Sequence, residues 1–124
     1  MMHSAQSGYA VAGKDTRVLN ANAHELITIL FEELLNLLDE ISIIHERGKT
    51  KEIVDQQVMA LSIVDSLIVS LDMENGGELA ENLRNTYAQV RALIAADDPD
   101  ANLRNNRTAY KFISEIYSAW RQIA

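Results

Sequence analysis

The sequence contains no cysteine and a single proline, and it has no long apolar run. The absence of cysteine excludes disulfides, thiolate metal sites and cysteine nucleophiles, and it fits a reducing compartment. A membrane span needs about 18 apolar residues in succession, which this chain does not have. Residues 1–21 also lack the basic start and apolar centre of a secretory signal. We therefore expect a cytoplasmic protein with no inserted segment.

Basic residues are scarce as well, since 11 Lys and Arg stand against 18 Asp and Glu, for a formal net charge of -7. The acidic excess is uneven. Residues 22–82 carry 13 acidic and 3 basic residues, whereas residues 83–124 carry 4 acidic and 6 basic residues. Nucleic-acid binding relies on clustered cations that neutralise phosphates. The charge balance therefore argues against a nucleic-acid partner.

A length of 124 residues indicates one domain, and 48% hydrophobic residues with 23% charged residues are typical of a globular protein. Apolar residues recur at helical spacing over long windows, which predicts an all-α fold. Residues 1–21 are polar with isolated apolar side chains, so we expect a flexible N-terminal arm. Short links between long helices favour an antiparallel, up-down four-helix bundle over residues 22–124.

The four helices are predicted from their apolar repeats and their breakers. The first should run from about Asn22 to Arg47, capped by Asn20 or Asn22 and ended by Gly48. The second should run from about Thr50, a candidate cap, to Leu71. The third and fourth are predicted over about 79–94 and 102–122, separated by a stop at Asp97-Asp98-Pro99-Asp100. The side chains predicted to face the core are Ile27, Leu30, Leu34, Leu37, Ile41, Ile44, Ile53, Ala60, Leu61, Val64, Leu67, Ile68, Leu71, Leu79, Leu83, Tyr87, Val90, Ile94, Ala109, Ile113, Ile116, Tyr117, Trp120 and Ile123.

Some apolar side chains are not needed by that core. At about 100° per residue, Ile29 and Ile43 point away from the apolar seam of the first helix. Val58, Met59 and Val69 similarly lie far from the centre of the core face of the second helix. Scattered exposed apolar residues are normal, but several on neighbouring helices can form a groove for a partner helix. Methionine would supply adaptable contacts there.

No residue pattern predicts catalysis, a metal or a cofactor. A di-iron bundle needs Glu-x-x-His pairs, yet Ala21 and Ser42 stand three residues before His24 and His45. The His24-Glu25 pair lacks the second histidine of a zinc-protease helix, because Thr28 occupies that position. The pair Gly76-Gly77 lacks the strand and lysine of a phosphate loop, and we predict instead a tight turn with a glycine at positive φ.

Two alternative functions remain open at this point. Phosphotransfer domains are helical bundles with one reactive histidine, and His45 is the candidate, although its predicted place in the last helical turn also suits a histidine at a helix C-terminus. A purely structural bundle could instead bury its surplus apolar residues in a homodimer. Mass that depends on protein concentration without any client would favour the homodimer.

The segment 70–83, Ser-Leu-Asp-Met-Glu-Asn-Gly-Gly-Glu-Leu-Ala-Glu-Asn-Leu, resembles the signature turn of the FliS family of flagellar secretion chaperones. Three further features support the likeness in order and spacing. Residues 26–32 resemble the opening helix of the family, Tyr9 with Val18 resembles its N-terminal arm, and 118–120 is similar to its closing Ala-Trp. Together these features cover nearly the whole chain.

The resemblance implies a cytoplasmic chaperone without catalysis. It would bind the disordered C-terminal segment of flagellin, prevent premature polymerisation and assist delivery to the flagellar type III export apparatus. The resemblance leaves open whether the export gate or an assembly regulator also binds the chaperone. Combining the resemblance with the surplus apolar residues, we predict partner-binding roles for Tyr9, Val18, Leu19, Leu26, Ile29, Val58, Met59 and Ile63, and a structural turn at Gly76 and Gly77. The arm would cover part of the client surface in the free chaperone.

Overall fold

A computed structural model describes Val18 and residues 21–123. Within this part of the chain there are four α-helices: α1 (Ala23–Glu46), α2 (Val54–Val69), α3 (Gly77–Ala95) and α4 (Asn102–Arg121). A short 3-10 helix, Thr50–Glu52, connects α1 to α2. The predicted number and order of helices are confirmed, and the predicted second helix is divided into the 3-10 turn and a shorter α2.

The helices form a closed ring of neighbours. The first helix packs against α2 and α4, and α3 packs against the same two helices. Because short links join α1 to α2, α2 to α3 and α3 to α4, consecutive helices run antiparallel. The all-α four-helix bundle is therefore confirmed.

The core contains side chains from all four helices. The largest that are fully buried are Phe31, Leu34, Leu38, Val64, Leu67, Val90 and Ile113. Most of the predicted core positions are buried or pack partly buried against this cluster. Two predictions are wrong: Leu79 is 68% exposed and Ile123 is 64% exposed. Both lie at helix ends, where a helical repeat continues in the sequence although the neighbouring helix no longer covers it.

The ends of α1 follow from local chemistry. The Asn22 side chain accepts a hydrogen bond from the Glu25 amide at 2.8 Å, so Asn22 is the N-cap. At the other end Gly48 has a φ of 71°. Its amide donates to the carbonyl of His45, and the Lys49 amide donates to the carbonyl of Ile44, which is a Schellman arrangement. The predicted stop at Gly48 is confirmed.

The predicted cap at Thr50 is wrong, because Lys49 precedes the 3-10 turn and no side chain caps α2. The Thr50 hydroxyl instead lies 3.2 Å from Nδ1 of His45. The chain needs the extra turn between the Schellman end of α1 and the start of α2. That turn places Thr50 inside the link, where its hydroxyl contacts the preceding helix.

Helices α1 and α4 have no short link, and buried polar groups join them. The Asn106 amide donates to the Leu38 carbonyl at 2.6 Å and to the Ser42 hydroxyl at 2.7 Å. Asn106 is only 3% exposed, so these bonds satisfy donors that would otherwise be costly to bury. They therefore hold α4 at one height along α1.

The link between α2 and α3 is a compact turn ordered by Asp72. Its carboxylate accepts hydrogen bonds from the amides of Glu74 and Asn75 and from the Asn75 side chain. Gly77 follows with a φ of 56°, which confirms the predicted glycine at positive φ. Gly76 has an ordinary φ of -80°, but a Cβ atom there would lie 2.5 Å from both the Cβ of Ala80 and the carbonyl oxygen of Asp72. The two glycines therefore serve different needs, backbone conformation at Gly77 and space at Gly76.

Substitution of Gly77 by valine tests the backbone requirement alone, since a Cβ at this position meets nothing within 4 Å. We expect Gly77→Val to lower the free energy of unfolding by about 1–2 kcal/mol, because a β-branched residue is strained at positive φ. Gly77→Asn is the matched control and should lose less, because asparagine tolerates this region. The measurement is urea unfolding followed by circular dichroism. Equal midpoints for Gly77→Val and the parent protein would contradict the prediction.

Candidate functional site

The predicted partner-binding residues do not form one contiguous patch. Val58 and Met59 are 60% and 51% exposed on the first half of α2, as predicted. Leu26 is also exposed, but it lies in the first turn of α1. Because α1 and α2 are antiparallel, most of the bundle length separates Leu26 from Val58. Ile63 is partly buried against the core cluster.

Ile29 differs from its prediction. The helical wheel makes it point away from the apolar seam, and exposure was expected, yet it is only 9% exposed. A helical wheel gives the direction of a side chain relative to its own helix. It does not show whether residues outside that helix bury the side chain. Tyr9 and Leu19 lie outside the described residues, and Val18 is exposed.

The second helix presents an apolar outer face, which we define as Val54, Val58 and Val69. At about 100° per residue these three side chains lie within roughly 60° of arc. All three are exposed. Asp65 shares this face and pairs with Arg91 of α3 at 2.7 Å. The arginine lowers the pKa of the Asp65 carboxyl, so this acid stays ionised beside an otherwise apolar stripe.

A second apolar surface was not predicted. At one end of the bundle, the start of α3, the end of α4 and the start of α1 surround a cavity of about 340 Å³ that we call the end groove. Its lining is Ile27, Ser70, Leu71, Asp72, Gly76, Leu79, Ala80, Leu83, Tyr87, Ile116, Ala119, Trp120 and Ile123. Pockets of a few hundred Å³ lined by aliphatic and aromatic side chains with few polar groups are typical binding sites.

The two incorrectly placed core residues belong to this groove. Leu79 contributes from the first turn of α3, and Ile123 from the residues that follow α4. A repeat of apolar residues cannot distinguish a packed core position from an open groove wall, because both point to the same side of the helix. The sequence holds one signal that separates these two residues from the core. Each stands at the end of its apolar repeat, where a neighbouring helix is least able to cover it.

The indole of Trp120 forms one wall of the groove and is held in place by the start of α1. Its ring stacks on His24 with centroids 4.4 Å apart and planes 8° from parallel. Its Nε1–H contacts the Thr28 hydroxyl at 3.1 Å and the His24 carbonyl at 3.3 Å. In return, Nε2 of His24 lies 3.1 Å from the Trp120 carbonyl and donates to it. These contacts define one orientation of the groove wall.

Deeper in the groove lies Tyr87, which is 3% exposed. Burial raises the pKa of its hydroxyl to about 12, so the phenol stays protonated at any physiological pH and remains a hydrogen-bond donor. Ser70 and Asp72 are the other polar side chains in the lining. The groove thus combines an apolar floor with few polar groups.

His45 lies in the last turn of α1, as predicted, and is partly buried. Burial lowers the pKa of its imidazole, which favours the neutral ring. Its contact with the Thr50 hydroxyl joins α1 to the 3-10 turn. This placement gives His45 a local structural contact in the link.

Metal binding and membrane insertion are two further possibilities for the described part of the chain. No three His, Asp or Glu side chains of residues 21–123 come together as metal ligands. None of the helices in the described part is long and apolar enough to cross a membrane.

The fold and the groove together define a four-helix bundle with open apolar surfaces at its side and at one end. The family model described as "Flagellar protein FliS" matches residues 5–124. The chain therefore belongs to the FliS family of flagellar secretion chaperones.

Curated relatives agree with this assignment over nearly the whole chain. The flagellar secretion chaperone FliS of Salmonella typhimurium is 32% identical over 127 residues, covering 98% of this chain and 90% of that protein. The Escherichia coli chaperone of the same name is 32% identical, covering 94% of this chain and 81% of its own. The flagellar secretion chaperone FliSB of Pseudomonas aeruginosa is 30% identical, with coverage of 97% and 95%.

Exposure on α2 leads to a prediction about stability. Val58→Ser combined with Met59→Ser should change the free energy of unfolding by about 0.5 kcal/mol or less per site, because both side chains are exposed. Val64→Ser on the same helix is the matched control. Val64 is fully buried, so this change should cost at least about 2 kcal/mol. Denaturant unfolding measures both variants, and a large loss in the double variant would mean that these side chains belong to the core.

Proposed function

We propose that this protein is a cytoplasmic export chaperone that binds the disordered C-terminal segment of flagellin without catalysing a reaction. It prevents premature polymerisation of its client and assists delivery to the flagellar type III export apparatus. Family membership over nearly the whole chain supports the role. The single structural observation that carries it is the pair of open apolar surfaces, the outer face of α2 and the end groove.

The physical chemistry of such surfaces suits a reversible chaperone. An amphipathic client segment can fold along an apolar groove by placing side chains at helical spacing into it. Ordering a disordered segment costs about 2–5 kcal/mol of the interaction energy. Affinity is thereby limited, so the client can be released without nucleotide hydrolysis.

The proposed contacts extend over the two apolar surfaces. Val58 and Met59 are accessible side chains of α2, with Ile63 next to them toward the core. Leu26 contributes at the opposite end, near the end groove. Since the two regions lie at different ends of the bundle, a client that uses both must run along its length. Ile29 joins the interface only where its cover is displaced.

The N-terminal arm is proposed to compete with the client through Tyr9, Val18 and Leu19. If the arm covers part of the client surface, the binding-competent form is a fraction of the free protein. The apparent affinity is then reduced by that fraction. Competition of this kind would protect apolar surface while no client is bound.

The direct test uses the full chain and roughly the last 40 residues of the flagellin from the same genome, a length that allows a few helical turns in a groove. We expect co-purification after co-expression and saturable binding in calorimetry. A scrambled peptide of the same composition is the control. Val58→Asp with Met59→Asp should weaken binding about tenfold, because charged groups replace apolar contact. Equal binding of the native and scrambled peptides would refute the proposal.

Removal of the arm tests the competition. A form that starts at Asn20 should bind the flagellin segment more tightly and associate with it faster, and Tyr9→Ala should have the same effect more weakly. Stopped-flow or surface-based kinetics separate the association and dissociation rates. Faster dissociation in both variants would show that the arm contacts the client directly.

A further inference from the structure

The turn between α2 and α3 contains the only asparagine of the chain that is followed by glycine, Asn75 before Gly76. Asparagine is a thermally labile residue, because the main-chain nitrogen of the next residue can attack its side-chain amide. A glycine in the next position has no Cβ atom to hinder that approach. Asn75 is also exposed to solvent. The sequence and the exposure together mark this pair as chemically susceptible.

The fold requires the glycine of this pair. A Cβ atom at Gly76 would lie 2.5 Å from the Cβ of Ala80 and 2.5 Å from the main-chain carbonyl oxygen of Asp72. Any other residue would therefore force the turn or the first turn of α3 to shift. The turn cannot exchange Gly76 for a residue that shields the asparagine without disturbing its own packing, so the susceptible pair is built into the bundle.

Three hydrogen bonds to Asp72 hold both of the groups that would react. The Asn75 side-chain amide donates to Oδ2 of Asp72 at 3.0 Å, and the Asn75 main-chain amide donates to Oδ1 at 3.1 Å. The Gly76 amide contains the attacking nitrogen, and it donates to the main-chain carbonyl of Asp72 at 2.8 Å. The side-chain and main-chain bonds from Asn75 lower the pKa of the Asp72 carboxyl, so the acceptor is ionised at neutral pH.

These bonds oppose each step that the reaction needs. The Gly76 nitrogen must lose its proton before it attacks, and a carbonyl oxygen holds that proton. An amide anion beside the Asp72 carboxylate is also disfavoured, because like charges repel. The side-chain carbon of Asn75 must meet the nitrogen, and the bond from its amide to Asp72 restricts the rotation that would bring it there. The closed turn therefore holds the pair in an unreactive arrangement.

We propose that Asn75 is a site of spontaneous deamidation, that Asp72 suppresses the reaction while the turn is closed, and that conversion to aspartate loosens the turn. The deprotonated Gly76 nitrogen forms a bond to Cγ of Asn75, and the Cγ–Nδ2 bond breaks with release of ammonia. Water then opens the resulting cyclic imide at either of its two carbonyls, which gives aspartate or its β-linked isomer. The net reaction consumes one water and releases one ammonia, and nothing is oxidised or reduced.

The product places a carboxylate where an amide donated a hydrogen bond. Residue 75 then carries the same charge as Asp72, with Glu74 and Glu78 close in the sequence. Repulsion replaces a stabilising contact, because a carboxylate has no donor to offer Asp72. Since Asp72 and Gly76 both line the end groove, a loosened turn alters that wall of the groove.

Mass spectrometry of the full chain, aged in mildly alkaline buffer and then digested, measures the conversion of Asn75. Asp72→Ala should convert Asn75 about tenfold faster than the parent protein, the factor that corresponds to one charge-assisted hydrogen bond. Asp72→Ser keeps a weaker local acceptor and should convert at an intermediate rate. Glu74→Ala is the matched control. It removes an equal charge from the neighbouring exposed residue but leaves the three bonds to Asp72, so it should keep the parent rate.

The parent protein in urea gives the rate of the open turn, which should exceed that of the folded protein. Circular dichroism shows that each variant is folded during ageing. No conversion of Asn75 in urea would overturn the site itself. Equal rates in the folded parent and in both folded Asp72 variants would overturn the suppression by Asp72.

Urea unfolding of product mimics tests the effect on the turn. Asn75→Asp should unfold at a lower urea concentration than Asn75→Ser, which also loses the side-chain amide but adds no charge. Equal midpoints for these two variants would overturn the loosening that we infer.

Discussion

The contact between α1 and α4 closes the bundle, and most of the functional geometry depends on it. Short links keep the other three pairs of neighbouring helices together, whereas these two are joined only by tertiary interactions. The Asn106 amide determines the height of α4 by donating to the Leu38 carbonyl. Toward the end of α4, the reciprocal contacts of Trp120 with His24 and Thr28 determine its orientation. Polar bonds of this kind specify one register, which apolar packing alone would leave less defined.

The end groove is a consequence of that closure. The wall of the groove that α4 provides has one orientation because α1 holds Trp120. The opposite wall begins at Gly77, where the chain turns into α3. Gly76 leaves room for Ala80 at the bottom of the turn. The groove therefore lies at the end of the bundle, where the four helices do not all cover one another.

The two apolar surfaces also suit the charge of the chain. A net charge of -7 opposes self-association, although several large apolar side chains are exposed. The Asp65–Arg91 ion pair lies beside the outer face of α2 and keeps a charged group next to its valines. Interspersed charge of this kind opposes nonspecific association through the valines.

The sequence by itself determined the four helices, their antiparallel order, the asparagine cap of α1, its end at Gly48 and a glycine at positive φ in the Gly76-Gly77 turn, because these features depend on local spacing and on the backbone freedom of single residues. It also predicted the exposure of Val58 and Met59, which follows from their direction on α2. Only the tertiary structure decided that Leu79 and Ile123 are exposed and that Ile29 is buried. A helical repeat specifies which side of a helix faces inward. Whether a neighbour fills that side depends on where the other helices begin and end.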